Sequence, residues 1–143
     1  MRLLLDEDVP APLLALLRHL LRGHQVDHVQ SLGWAGKRDL ALYRDAATRY
    51  DAILTNDLRQ LNDPAECQAI QRSGLHYISY ELADGLDGLA FASGAICAAI
   101  RPIIAELERA TSQRIVRVQG LARSRRRFEI SNPATDPPSQ YWP

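Results

Sequence analysis

Two short apolar runs each stop at an aspartate: Leu3-Leu4-Leu5 at Asp6-Glu7-Asp8, and Ala52-Ile53-Leu54-Thr55 at Asn56-Asp57. Brief apolar runs bounded by polar breaks are the pattern of strands buried on both faces of a parallel sheet. Parallel neighbours need a crossover between them, and the intervening sequence supplies helical patterns. Pro10 and Pro12 stand where a helix opens, Leu13 to Leu21 follow helical spacing, and Gly23 stops the helix. His24 to Val29 alternates as a second strand, and Gly33 and Gly36 mark a loop. A helix from Asp39 has Leu40, Tyr43, Ala47 and Tyr50 as its apolar stripe; another runs from Pro64 to Arg72. Leu75 to Ser79 reads as a strand, and a long helix follows from Asp87 or Gly88 to about Ala110. Pro102 is expected to kink or divide that helix. Arg114 to Gln119 reads as a strand that pairs with Arg127 to Ile130. The resulting βαβαβαβαβ order predicts an α/β fold of three layers, α/β/α, around a mainly parallel sheet of four to five strands. One domain over residues 1–131 and a polar, proline-rich tail over 132–143 are expected.

With 46% apolar and 24% charged residues, the chain has the balance of a globular protein. The longest uncharged apolar run, Gly88 to Ile100, is closed by Arg101 and falls short of the roughly 20 residues that cross a bilayer. Acids at 6–8 stand where a signal peptide would carry its apolar core, so a cytoplasmic protein without membrane contact is expected. Cys67 and Cys97 lack metal-type spacing and read as free thiols. Net charge is zero but uneven: residues 1–113 carry −4, and residues 114–143 carry +4. The excess comes from Arg114, Arg117, Arg123, Arg125, Arg126 and Arg127, a patch suited to phosphate or to an acidic partner.

Functional groups of open parallel sheets gather outside the carboxyl ends of the strands. Asp6 and Asp57 directly follow the first and third strands, and Asp39 lies on the connection leaving the second. If the first and third strands are neighbours, these carboxylates face one crevice, with Asp8 able to join them. Clustered carboxylates either take up protons or are neutralised by a cation. Hard oxygen donors at this density suit Mg²⁺ or Mn²⁺, which polarise a phosphodiester and activate water. Structural roles fit some of the same residues: Asp39 as a helix N-cap, Asp8 as organiser of the turn before Pro10. Thr55 and Asn56 stand beside Asp57 and are candidates to position water or ligand. Lys37, Arg38 and Arg59 are candidate phosphate-binding groups. Trp34 reads either as a base-stacking group or as core cover. Tyr141 and Trp142, unusual in a solvated tail, suggest docking on a partner or a second subunit. His19, His24, His28 and His76 form no ligand set and read as structural.

The same stretches resemble the PIN-like toxin family, relatives of the VapC ribonucleases of type II toxin–antitoxin pairs. The resemblance lies in Leu3 to Pro10, Gly23-His24-Gln25-Val26, Gly36-Lys37-Arg38-Asp39 with Leu40 and Ala46-Ala47, and Ala52 to Asp57. It covers roughly residues 1–80 and, more loosely, the strand near Arg114 to Val118. It implies a PIN-like α/β/α fold, Mg²⁺- or Mn²⁺-dependent cleavage of RNA, and a small antitoxin partner that covers the site. By position, Asp6 and Asp57 resemble the central metal carboxylates of that family, and Asp39 the acid from the second helix. Two positions depart from it: Asp8 stands where the family commonly has asparagine, and Arg59 where a further acid often follows. A PIN-like module that binds RNA or an antitoxin without cutting is the alternative. A phosphorylation receiver domain also places acids after its first and third strands, but it needs a lysine after its fifth. Lys37 is the only lysine here.

Overall fold

A computed structural model describes residues 1–120 and 128–143. Six strands alternate with four helices: β1 (Arg2–Leu5), α1 (Leu13–Leu20), β2 (Gln25–His28), α2 (Asp39–Ala46), β3 (Ala52–Thr55), α3 (Pro64–Ser73), β4 (His76–Ser79), α4 (Gly85–Arg109), β5 (Ile115–Val118) and β6 (Phe128–Ser131). They form one sheet in the order β2-β1-β3-β4-β5-β6, parallel except for the antiparallel β5–β6 pair. The sheet counts six strands because β6, expected as the partner of β5, forms its edge.

Each side of the sheet has its own apolar core. Leu3, Leu5, Leu54 and Ile78 face α1 and α4; Leu4, Ile53 and Tyr77 face α2 and α3. This alternation explains why Leu3 to Leu5 and Ala52 to Leu54 are apolar at consecutive positions: both faces are covered. All four residues of β3 are buried.

Four local expectations change. The buried stripe of α2 is Leu42, Tyr43 and Ala46, and Leu40 is half exposed, because the helix is turned toward α3. Asp39 is the first residue of α2 and not its cap; Arg38 holds the cap position and makes no side-chain cap bond. Helix α4 runs unbroken through Pro102. Buried Ile96, Ile100, Ile103 and Ile104 press both halves of it onto the sheet, and that packing outweighs one lost backbone bond. Length and composition alone would let α4 cross a membrane, but here its apolar face forms core. Finally, Trp142 does not project toward a partner. It is buried in the α2/α3-side core of its own chain, while Tyr141 stays exposed. The Ser139 hydroxyl lies 3.7 Å from Cys67 Sγ, so the last residues lie along the domain. Of the arginine patch, Arg123 and Arg125 to Arg127 lie outside the described residues.

Candidate active site

From β1 the chain crosses to β2 on one side, and from β3 it crosses to β4 on the other, so strand order reverses between β1 and β3. Crevices at such reversals, outside the carboxyl ends of the strands, are where open α/β sheets bind ligands. Leu5 is in register with Leu54, and the Asp6 N–H donates to the Leu54 carbonyl at 2.9 Å, which carries the pairing one residue past the strand. Asp6 therefore leaves the sheet at the crevice.

Asp6 is only 6% exposed. One carboxylate oxygen accepts the Glu7 N–H at 2.8 Å. Burial and the neighbouring Asp8 and Asp39 carboxylates push its pKa up to about 6, despite hydrogen bonds from Glu7 and Thr55. Asp8 accepts the Thr55 hydroxyl at 3.1 Å and the Asn56 N–H at 3.2 Å, and the same hydroxyl accepts the Asp57 N–H at 3.1 Å. Fully buried Thr55 thus ties the exit of β1 to the exit of β3. Burial and Asp57 raise the Asp8 carboxyl as well. The loop bearing both acids is held from beneath by His28, whose buried ring Nε2 lies 2.7 Å from the Val9 carbonyl. Glu7 turns away and accepts the Gly36 N–H at 2.8 Å.

Asp39 meets this edge from the first turn of α2. Burial, then Asp57, raises its pKa, and the Gln60 and Glu66 side chains reach it. Gln60 is buried, and its carbonyl oxygen accepts the hydroxyls of Tyr43 at 2.6 Å and Tyr77 at 3.3 Å. With the oxygen so engaged, the amide nitrogen is left to face Asp39. Glu66, on α3, is raised to about 7 by burial and by Asp39, Asp63 and Asp57, and is close enough to Asp39 to share a proton. Gln60 and Glu66 were not among the residues expected from sequence.

Asp57 behaves differently. Arg59 grips it twice, Nε on Oδ1 at 3.0 Å and Nη2 on Oδ2 at 3.2 Å, and adds its backbone N–H at 3.1 Å. The guanidinium holds the Asp57 carboxyl below the usual range. Among the described residues no Lys, Arg or His forms an ion pair with Asp6, Asp8, Asp39 or Glu66. The cationic candidates divide: Lys37 pairs with Asp45 and lies over the Trp34 ring, whereas Arg38 is exposed without a described partner beside Asp39 and Glu66. Trp34 meets Tyr50 edge-on at 6.4 Å and packs against the α2/α3-side core.

The PIN-like domain family model matches residues 1–81, more than half of the chain. The chain belongs to the PIN-like domain family. All five acids of the PIN-like crevice, including Glu66, fall inside the matched segment, and α4, β5 and β6 fall outside it. No curated protein and no solved structure matches the chain. The donor set fits a hard divalent cation: carboxylate oxygens only, mutually repelling, with four of the five lacking a cationic partner among the described residues. Among those residues, no three His, Cys, Asp or Glu side chains are set to hold one ion as they stand.

Proposed function

We propose that this PIN-like domain is a metal-dependent endoribonuclease, acting as the toxin of a toxin–antitoxin pair whose small protein partner covers the crevice. The observation that carries the reading is Asp6: a carboxylate buried at the sheet's reversal point, crowded by other acids and met by no positive side chain among the described residues. Such a group is costly to keep unless a cation arrives. In this reading Asp6, Asp8, Asp39 and Asp57 hold Mg²⁺ or Mn²⁺. The bound ion supplies a Lewis acid for the phosphodiester and an acidified water. Thr55 and Asn56 fix Asp8, and Gln60 fixes Asp39. Glu66, with a pKa about 7, takes and returns a proton at neutral pH. Exposed Arg38 and Arg59 bind the flanking phosphates of the RNA.

One observation favours the second reading, a binding module without catalysis: Arg59 already neutralises Asp57. An RNA cleavage assay separates the two. The nuclease cuts RNA with Mn²⁺, stops with EDTA, and is inactive as Asp6→Asn; metal-independent RNA or protein binding with no cleavage identifies the module. Co-expression with the neighbouring small open reading frame tests the partner, which is expected to co-purify and suppress cleavage.

A further inference from the structure

Beside the acidic crevice lies a second concavity. It has a volume of about 750 Å³ and is formed by the connection from β4 to α4, the first turns of α4, and β5. That is within the roughly 300–1,000 Å³ of pockets that enclose small ligands. It opens onto the crevice: Leu58, Glu81 and Leu82 line both this cavity and the shallow depression that holds Asp8, Asp57 and Arg59. Its wall at Gly88 depends on glycine, because any side chain there would run into the Ala83 carbonyl.

The lining combines an aromatic face with polar side chains. Phe91 is 69% exposed at the mouth, so its ring is uncovered. Asn62, Glu81 and Gln119 line the cavity with no described hydrogen-bond partner. Tyr80, 3% exposed, also lines it, and its buried hydroxyl is without a partner among the described residues. A buried donor left unmade is unfavourable, and an acceptor brought by a ligand would relieve it.

We propose that this cavity is a nucleobase subsite of the nuclease, in which Phe91 stacks on the base next to the phosphate at the acidic edge and Asn62, Glu81 and Gln119 bond its rim. Every base offers a flat face to an aromatic ring, and base edges differ in their donors and acceptors. The cavity therefore sets which nucleotide is placed beside the cleaved bond. The inference rests on the nuclease reading, but it makes a separate claim about binding.

The test uses the full chain in EDTA, titrated with the four ribonucleoside 5′-monophosphates and with ribose 5-phosphate, and followed by amide chemical shifts. Phe91→Ala, at an exposed position, and Gln119→Ala, at a half-buried one, are the variants. Nucleotides are expected to shift Tyr80, Glu81 and Gln119, and ribose 5-phosphate is not. Phe91→Ala is expected to weaken nucleotide binding about 5-fold or more. It should also flatten base preference at RNA cleavage sites while Mn²⁺ binding holds. Equal binding of ribose 5-phosphate, shifts confined to Arg59, or unchanged cleavage preference in both variants would overturn the subsite and leave the nuclease standing. A protein partner lost in Phe91→Ala, with nucleotides leaving the cavity untouched, would also overturn it. Nucleotide binding in the cavity without metal-dependent cleavage supports the subsite and removes the nuclease.

Discussion

The two ends of the β1–β3 pair carry the same residue type in opposite circumstances. At the amino end, Arg2 and Asp51 form a two-pronged ion pair, with Nη2 to Oδ1 at 2.7 Å and Nε to Oδ2 at 3.2 Å, and Asp51 is held below the usual carboxylate range. At the carboxyl end, four residues along the chain from Arg2, Asp6 is more buried, has acids for neighbours, and is pushed up. A fold built only for stability would treat both ends alike. The contrast shows where stability has been given up, and functional sites are where such concessions gather.

Substitution at Asp6 should break the contrast most sharply. Asp6→Asn is expected to lower Mn²⁺-dependent RNA cleavage at least about 100-fold, more than the loss of a supporting group around a metal. The same change should stabilise the metal-free protein. Folded Asp6 holds its proton up to about pH 6, whereas the ordinary value is 3.8. The folded state therefore binds more protons across that window, and stability falls as pH rises through it, by on the order of 3 kcal/mol. Denaturant unfolding at pH 4 and pH 8 in EDTA measures this slope, which Asp6→Asn should flatten.

Glu66→Gln comes next, with an expected loss of about 100-fold in kcat and disappearance of the pH-profile limb near 7. An unchanged profile would assign the proton transfer elsewhere. Arg59→Ala should sharpen the contrast from the other side by freeing Asp57. Mn²⁺ is expected to bind about 5-fold tighter, the upper range for an exposed ion pair, and titration calorimetry reads the change. The smallest effect belongs to the amino end. Asp51→Asn breaks the exposed pair with Arg2, costs less than about 1 kcal/mol in thermal unfolding, and leaves cleavage unchanged.

The acids at the strand ends were legible because an apolar run broken by aspartate carries both facts at once: where a strand stops, and what stands there. The crevice followed from chain order, since only the β1–β3 pairing had to be supplied. Gln60 and Glu66 were hidden for a different reason. Glu66 sits three residues after Asp63, the spacing of an ordinary helix cap, and Asp63 does accept the Ala65 and Glu66 N–H groups at 2.8 and 3.0 Å. Its approach to Asp39 is a contact between α2 and α3 that no local pattern encodes. Gln60 reads as a polar turn residue, and only the two tyrosines closing over it reveal its burial. The division offered for the helix at Pro102 and the docking role offered for Trp142 gave way similarly, to packing within the domain. The cavity beside the crevice left no sequence signal, because its lining comes from six separate stretches of chain between Leu58 and Pro138.

The central claim, that the acids at the β1–β3 reversal form a cation site, is tested most directly by Mn²⁺ titration calorimetry at pH 7, repeated in buffers of different ionisation enthalpy. Saturable binding that releases protons, and that Asp6→Asn abolishes, is the predicted result, because the raised carboxyl groups must shed protons as the ion enters. Absence of saturable binding, or binding that persists unaltered in Asp6→Asn, would contradict it.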